Sequence, residues 1–106
     1  MAWAALLLAG VLETGFAVSL GLSRGFRHPG WTASFVVCAA ASFALLSWSL
    51  RSLPVGTAYA VWTGIGAVGT ALVGVLVLGE PSGALRLLSI GLVVAGVVGL
   101  RLTSAA

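Results

Sequence analysis

The chain has 106 residues, of which 60% are hydrophobic and 7% charged, whereas about a quarter of the residues of an ordinary soluble domain are charged. This composition excludes a soluble globular protein and identifies an integral membrane one. The net charge is +3, but the cations are dispersed as Arg24, Arg27, Arg51, Arg86 and Arg101 with no basic patch, which excludes a nucleic-acid partner.

A membrane-spanning helix takes about 20 apolar residues, and the breaks in this sequence fall where four such spans end. The first runs from about Ala2 to Leu22 and carries one carboxylate, Glu13, in its middle. An acid at bilayer depth costs about 2.5–3.5 kcal/mol on insertion scales, so Glu13 is a functional residue by default. Its neighbours on the same helix face, Ala9, Gly10 and Ala17, are small and leave room beside the carboxyl. The alternative is a structural acid bonded to a hydroxyl of another helix. No basic segment precedes this run, so it is expected to stay in the fold rather than be cleaved as a signal peptide.

Ser23-Arg24-Gly25-Phe26-Arg27-His28-Pro29-Gly30 reads as a loop, and His28, with no acid or second histidine nearby, as a solvated residue. The second span runs from about Trp31 to Leu50 and contains Cys38, a lone cysteine that permits neither an intrachain disulfide nor a metal cluster. It also contains Ser42, a hydroxyl at bilayer depth that could bond its own i−4 carbonyl. Arg51-Ser52-Leu53-Pro54 ends this span.

The third span, from about Val55 to Leu78, places Tyr59, Trp62, Thr63 and Gly66 at i, i+3, i+4 and i+7, on one helix face. A phenol and an indole can bond a carboxylate while their π faces meet a cation, although Tyr59 is close enough to the span end to belong to an interfacial belt. Gly64, Gly66 and Gly69 spell G-x-G-x-x-G, but no strand precedes them, and dinucleotide binding is rejected. They are expected to loosen the helix and admit a close neighbour. Glu80, in the turn Gly79-Glu80-Pro81-Ser82-Gly83, reads as a solvated residue.

The fourth span runs from about Leu85 to Leu100, with Arg101 at its end and a short small-residue tail. Gly91, Ala95 and Gly99 form a stripe suited to helix contact, between copies or within one. Trp3, Trp31 and Trp48 lie near span ends and read as belt residues. No nucleophile is paired with a base, so no enzyme, cofactor or resident metal is expected.

Loops one and three carry Arg24, Arg27 and Arg86, while loop two and the C-terminal end carry Arg51 and Arg101. This near-balance permits insertion either way up. Four helices are too few to enclose and seal a polar pathway, so transport implies an oligomer. Two oppositely oriented copies would reproduce the inverted repeats that larger transporters build within one chain.

Gly10-x-x-Glu13, Ser42, and the run Leu53-Pro-Val-Gly-Thr-Ala-Tyr-Ala-Val-Trp-Thr-Gly-Ile-Gly-Ala-Val-Gly69 closely resemble the small multidrug resistance transporters. The likeness extends over the whole chain, including the ending Gly-Leu-Arg-Leu-Thr-Ser, and Gly10 with Trp-Thr-Gly-Ile-Gly resembles the guanidinium exporter subtype. The resemblance implies an all-α membrane protein, residues 1–106 forming a single domain of four transmembrane helices that works as an antiparallel, dual-topology dimer in the bacterial inner membrane. It further implies proton-coupled export of guanidinium or small guanidinyl cations, with substrate and protons competing for Glu13 of two subunits. Ser42, Tyr59 and Trp62 would order and cover those carboxylates, with Gly10, Phe16 and Thr63 nearby.

Carboxyls held away from water and close to one another bind protons more readily than solvated ones. A planar cation with several N–H donors can displace those protons as an arginine would. Two positions depart from the subtype: Phe16 stands where a tryptophan is usual, removing a possible donor to the carboxylate, and Gly21 where a lysine is usual. The departures leave open larger guanidiniums, a broader quaternary ammonium exporter, or one half of a heterodimer. A non-transporting membrane subunit is the reading from a different class.

Overall fold

The computed structural model describes residues 1–103; the small-residue tail expected beyond them, including the Ser104 of the family-like ending, lies outside the described residues. Four helices run as α1 (Ala2–Leu22), α2 (Pro29–Ser49), α3 (Val55–Leu76) and α4 (Ala84–Thr103). Each is 20 to 22 residues long and apolar enough to cross a membrane, at 1.5 Å per residue close to the thickness of a hydrocarbon core. The chain is thus a multi-pass, all-α membrane protein.

Three boundaries differ from the sequence reading by more than one residue, each for a local reason. Helix α2 starts at Pro29 rather than Trp31; proline is well placed in a first helical turn because its missing N–H would have no partner there, and it holds His28 extended. Helix α3 stops at Leu76, short of Leu78. There the chain turns through Gly79 at φ +74°, and the Glu80 N–H returns to the Gly74 carbonyl at 2.9 Å. Helix α4 continues past Leu100 to Thr103, putting Arg101 in its last turn, where a cation favours the helix dipole.

The packing is that of a membrane protein, with large apolar side chains such as Leu7, Val11, Val37 and Leu92 outward and Ser19, Ser42 and Ser49 inward. Helix α2 is fastened to α1 at three levels. Ser34 Oγ pairs with Ser19 Oγ at 2.8 Å, Ser42 Oγ donates to the Ala9 carbonyl at 2.6 Å, and Ser49 Oγ lies 3.2 Å from the Ala2 carbonyl. These serines recur about every two turns, so a single face of α2 carries all three. Without water in the bilayer, such bonds hold helices together where apolar burial cannot. Between two of these levels, Gly15 gives way to Cys38, whose Sγ lies 3.1 Å from where a Gly15 Cβ would be.

Helix α1 also packs against α3, whereas α4 contacts only α3, save that the Arg101 guanidinium reaches over the Trp3 ring of α1, 4.9 Å from its centroid. Trp31 and Trp48 are half-exposed at helix ends, whereas Trp3 packs against the buried cluster of Leu6, Leu46, Val61 and Trp62. The four helices form a slab 43 × 34 × 17 Å across its Cα atoms, too thin to enclose a pathway. No residue of α4 is buried, and among the described residues a Cβ added at Gly91 or Gly99 would meet nothing within 4 Å. The glycines of the α4 stripe therefore do not serve packing within one copy.

Candidate functional site

Glycines decide how closely α1 and α3 approach. At Gly10 a Cβ would fall 2.6 Å from Ile65 Cγ2, at Gly66 it would fall on the Glu13 carboxyl, and at Gly69 on the Thr14 hydroxyl. The Thr14 hydroxyl in turn donates across the contact to the Gly66 carbonyl at 3.3 Å. The α3 glycines thus admit close neighbours, as expected from the sequence. Gly10 has a packing role, one turn before the acid.

The close approach puts the Glu13 side chain against bare α3 backbone. Its Oε1 is buried without a hydrogen-bond partner among the described residues. Beside it opens a cavity of about 650 Å³ lined by Ala17, Gly21, Thr63, Gly66 and Thr70 as well as Glu13. Even one carboxylate oxygen buried without a partner is costly in a low dielectric. The arrangement suits reversible neutralisation by a proton or a small cation.

The helix face that carries Tyr59, Trp62, Thr63 and Gly66 is divided. Thr63 and Gly66 line the Glu13 cavity. Trp62 is buried, and its indole N–H donates to Ser42 Oγ at 2.9 Å, while Ser42 donates to the Ala9 carbonyl. This relay crosses α3, α2 and α1. Ser42 therefore does not turn back onto its own helix. Tyr59 is exposed, with its ring 5.6 Å from that of Trp62.

Phe16 is enclosed by aromatic rings, with centroids 5.9 Å from Phe43, 6.0 Å from Phe35 and 6.4 Å from Trp62. It supports the Trp62 side of the site rather than the cavity wall. Gly21 lies on that wall, with nothing within 4 Å of where a Cβ would be.

Two features escaped the sequence reading. Ser34 and Ser49 share the face of Ser42, and their spacing was the available signal. Glu80 is not simply solvated: its carboxylate accepts from Arg86 Nη2 at 2.8 Å, and both residues line the Glu13 cavity. The six-residue separation across a turn gives no helical periodicity from which to infer that pair.

Comparison with known proteins agrees with this architecture. Residues 1–93 match the family described as Small Multidrug Resistance protein. A Citrobacter freundii protein named Guanidinium exporter is 54% identical over 106 residues, covering 98% of this chain and 99% of its own. Proteins of the same name from Salmonella typhimurium strain LT2 and Yersinia pseudotuberculosis are each 51% identical over 104 residues, again covering 98% of this chain, with 99% and 100% of their own lengths matched.

Proposed function

This chain belongs to the small multidrug resistance family, and from that premise we propose that it is a proton-coupled exporter of guanidinium and small guanidinyl cations in the bacterial inner membrane. The relatives' names support the substrate class, and the observation that carries the mechanism is Glu13. It is an acid within a spanning helix, with one oxygen buried and unpartnered, beside a cavity of about 650 Å³.

Two copies lying in opposite directions bring two Glu13 carboxyls to one site. Each carboxyl holds a proton or shares the cation. An entering guanidinium releases the protons and bonds the ionised oxygens through its planar N–H donors. Protons arriving from the other side displace it, so competition alone couples the two fluxes. Alternating access follows when the two copies exchange conformations about the site. The slab shape and the open glycine positions of α4 support a second copy, and the balanced arginines support its inverted orientation.

In this reading Trp62 and Ser42 hold α1, α2 and α3 in register around the site, while Tyr59 and Thr63 meet the cation. Gly21 leaves space for substituents, which favours guanidinyl compounds over the bare ion alone. The decisive experiment is exchange in reconstituted vesicles. Wild-type protein should take up guanidinium into vesicles with an acidic lumen in exchange for protons leaving down their gradient, and Glu13→Gln should not; exchange by Glu13→Gln at the wild-type rate would overturn the proposal.

A further inference from the structure

The chain contains two acidic residues in all, and both line the same cavity. The second, Glu80, is directed there by the backbone. After α3 ends, Gly79 takes its positive φ and the Glu80 N–H bonds back to the Gly74 carbonyl. Gly74 has no Cβ to block the Glu80 carboxylate, which occupies that space. The acid is thereby turned back along the helix, with its carboxylate against Gly74 and about half of its side chain still exposed.

What it holds there is a guanidinium group. Arg86 Nη2 donates to Glu80 Oε1 at 2.8 Å, and this is the one hydrogen bond between the two side chains. Both side chains are about half-exposed, and such pairs are weak. Arg86 also lies in the first turn of α4, where the positive end of the helix dipole disfavours a cation. Arg86 is thus loosely held, through one of the two carboxylate oxygens. A free guanidinium carries the same planar donors and can engage both oxygens at once.

We propose that Glu80 is an outer station for the transported cation, a guanidinium-binding carboxylate at the mouth of the Glu13 cavity that Arg86 fills when substrate is absent. The inference rests on the guanidinium reading above and deepens it: Arg86 acts as an internal substitute for the substrate. From Glu80 the path to Glu13 is lined by Thr70, Thr63 and Gly66, hydroxyls and a bare backbone along which a small cation can pass. With two oppositely oriented copies, each membrane face has one such station.

The test is equilibrium binding of isotope-labelled guanidinium to the full chain in lipid nanodiscs at low ionic strength, with folding checked by elution and circular dichroism. Glu13→Gln should retain a weaker, salt-sensitive site. Adding Glu80→Gln should remove that site, and adding Glu80→Asp should keep it. Adding Arg86→Gln should tighten it by roughly 1.4- to fivefold, the range expected on releasing a weak competing ion pair. An ion pair that only braces the turn would make Glu80→Gln and Arg86→Gln act alike. Unchanged binding on adding Glu80→Gln, or weaker binding on adding Arg86→Gln, would overturn the assignment. If the wild type failed to exchange guanidinium for protons while the Glu80 site still bound it, the export reading would fall and the station would stand.

Discussion

The Glu13 carboxyl rests on the backbone of Gly66, in the space a Cβ at that position would need. Acid and glycine lie on different helices, and the bare backbone of one makes room for the side chain of the other. Gly66→Ala should push the carboxyl out of place. Overpacking costs about 1–3 kcal/mol, and the higher helix propensity of alanine returns about 1 kcal/mol. Stability should therefore fall little, while guanidinium binding by calorimetry should weaken at least about tenfold, a loss of about 1.4 kcal/mol.

Gly64 accommodates α4 in the same way: a Cβ there would lie 2.6 Å from Val97 Cγ2 and an ordinary 3.5 Å from Val93 Cγ1. Gly64→Ala should loosen α4 from α3 and lower stability in detergent by up to about 2 kcal/mol, the overpacking cost of about 1–3 kcal/mol less the roughly 1 kcal/mol that alanine's helix propensity returns. Val97→Ala should recover most of that loss, and a double-mutant cycle should show coupling between the two sites.

The Trp62–Ser42–Ala9 relay makes unequal predictions for its members. Ser42→Ala strands the buried Trp62 N–H and should cost about 1–3 kcal/mol of stability. Trp62→Phe takes away the donor and leaves Ser42 bonded to Ala9. The double substitution should be milder than the sum of the singles in reversible unfolding measurements.

The proposed competition at Glu13 fixes the expected direction of the pH dependence. Protons occupy the carboxyls as pH falls, so the apparent Kd for guanidinium should rise toward acid pH and level off once the carboxyls are ionised. Binding in weakly buffered suspension should acidify the medium. Glu13→Gln should abolish both effects.

The open positions on α4 predict where a second copy sits. A Cβ at Gly99 meets nothing within 4 Å among the described residues, so Gly99→Leu should leave helix content unchanged while cross-linking in lipid shifts from dimer to monomer. Small residues let helices approach in bilayers, and a leucine there removes that fit.

The four spans were legible because runs of about 20 apolar residues punctuated by Gly, Pro and Arg have few other interpretations. Glu13 stood out because an acid is conspicuous in such a run. Helical periodicity placed Tyr59, Trp62, Thr63 and Gly66 on one face, but a face is about 100° wide. That width separates an indole reaching α2 from a hydroxyl facing the cavity, and only the neighbouring helices decide which goes where. Ser42 could be recognised as polar and deep, but its acceptor on α1 depends on helix register. Glu80 and Arg86 meet through the way a turn folds back on α3, which no repeat in the sequence encodes.

Cys38, wedged against Gly15 between the first two helices, gives the protein a reporter of its own. No second cysteine competes with it, so a thiol-directed mass tag applied to the unaltered chain reads a single position. Sliding or tilting of α1 against α2 during turnover would change the rate at which the tag attaches, making the transport cycle observable without any engineered label.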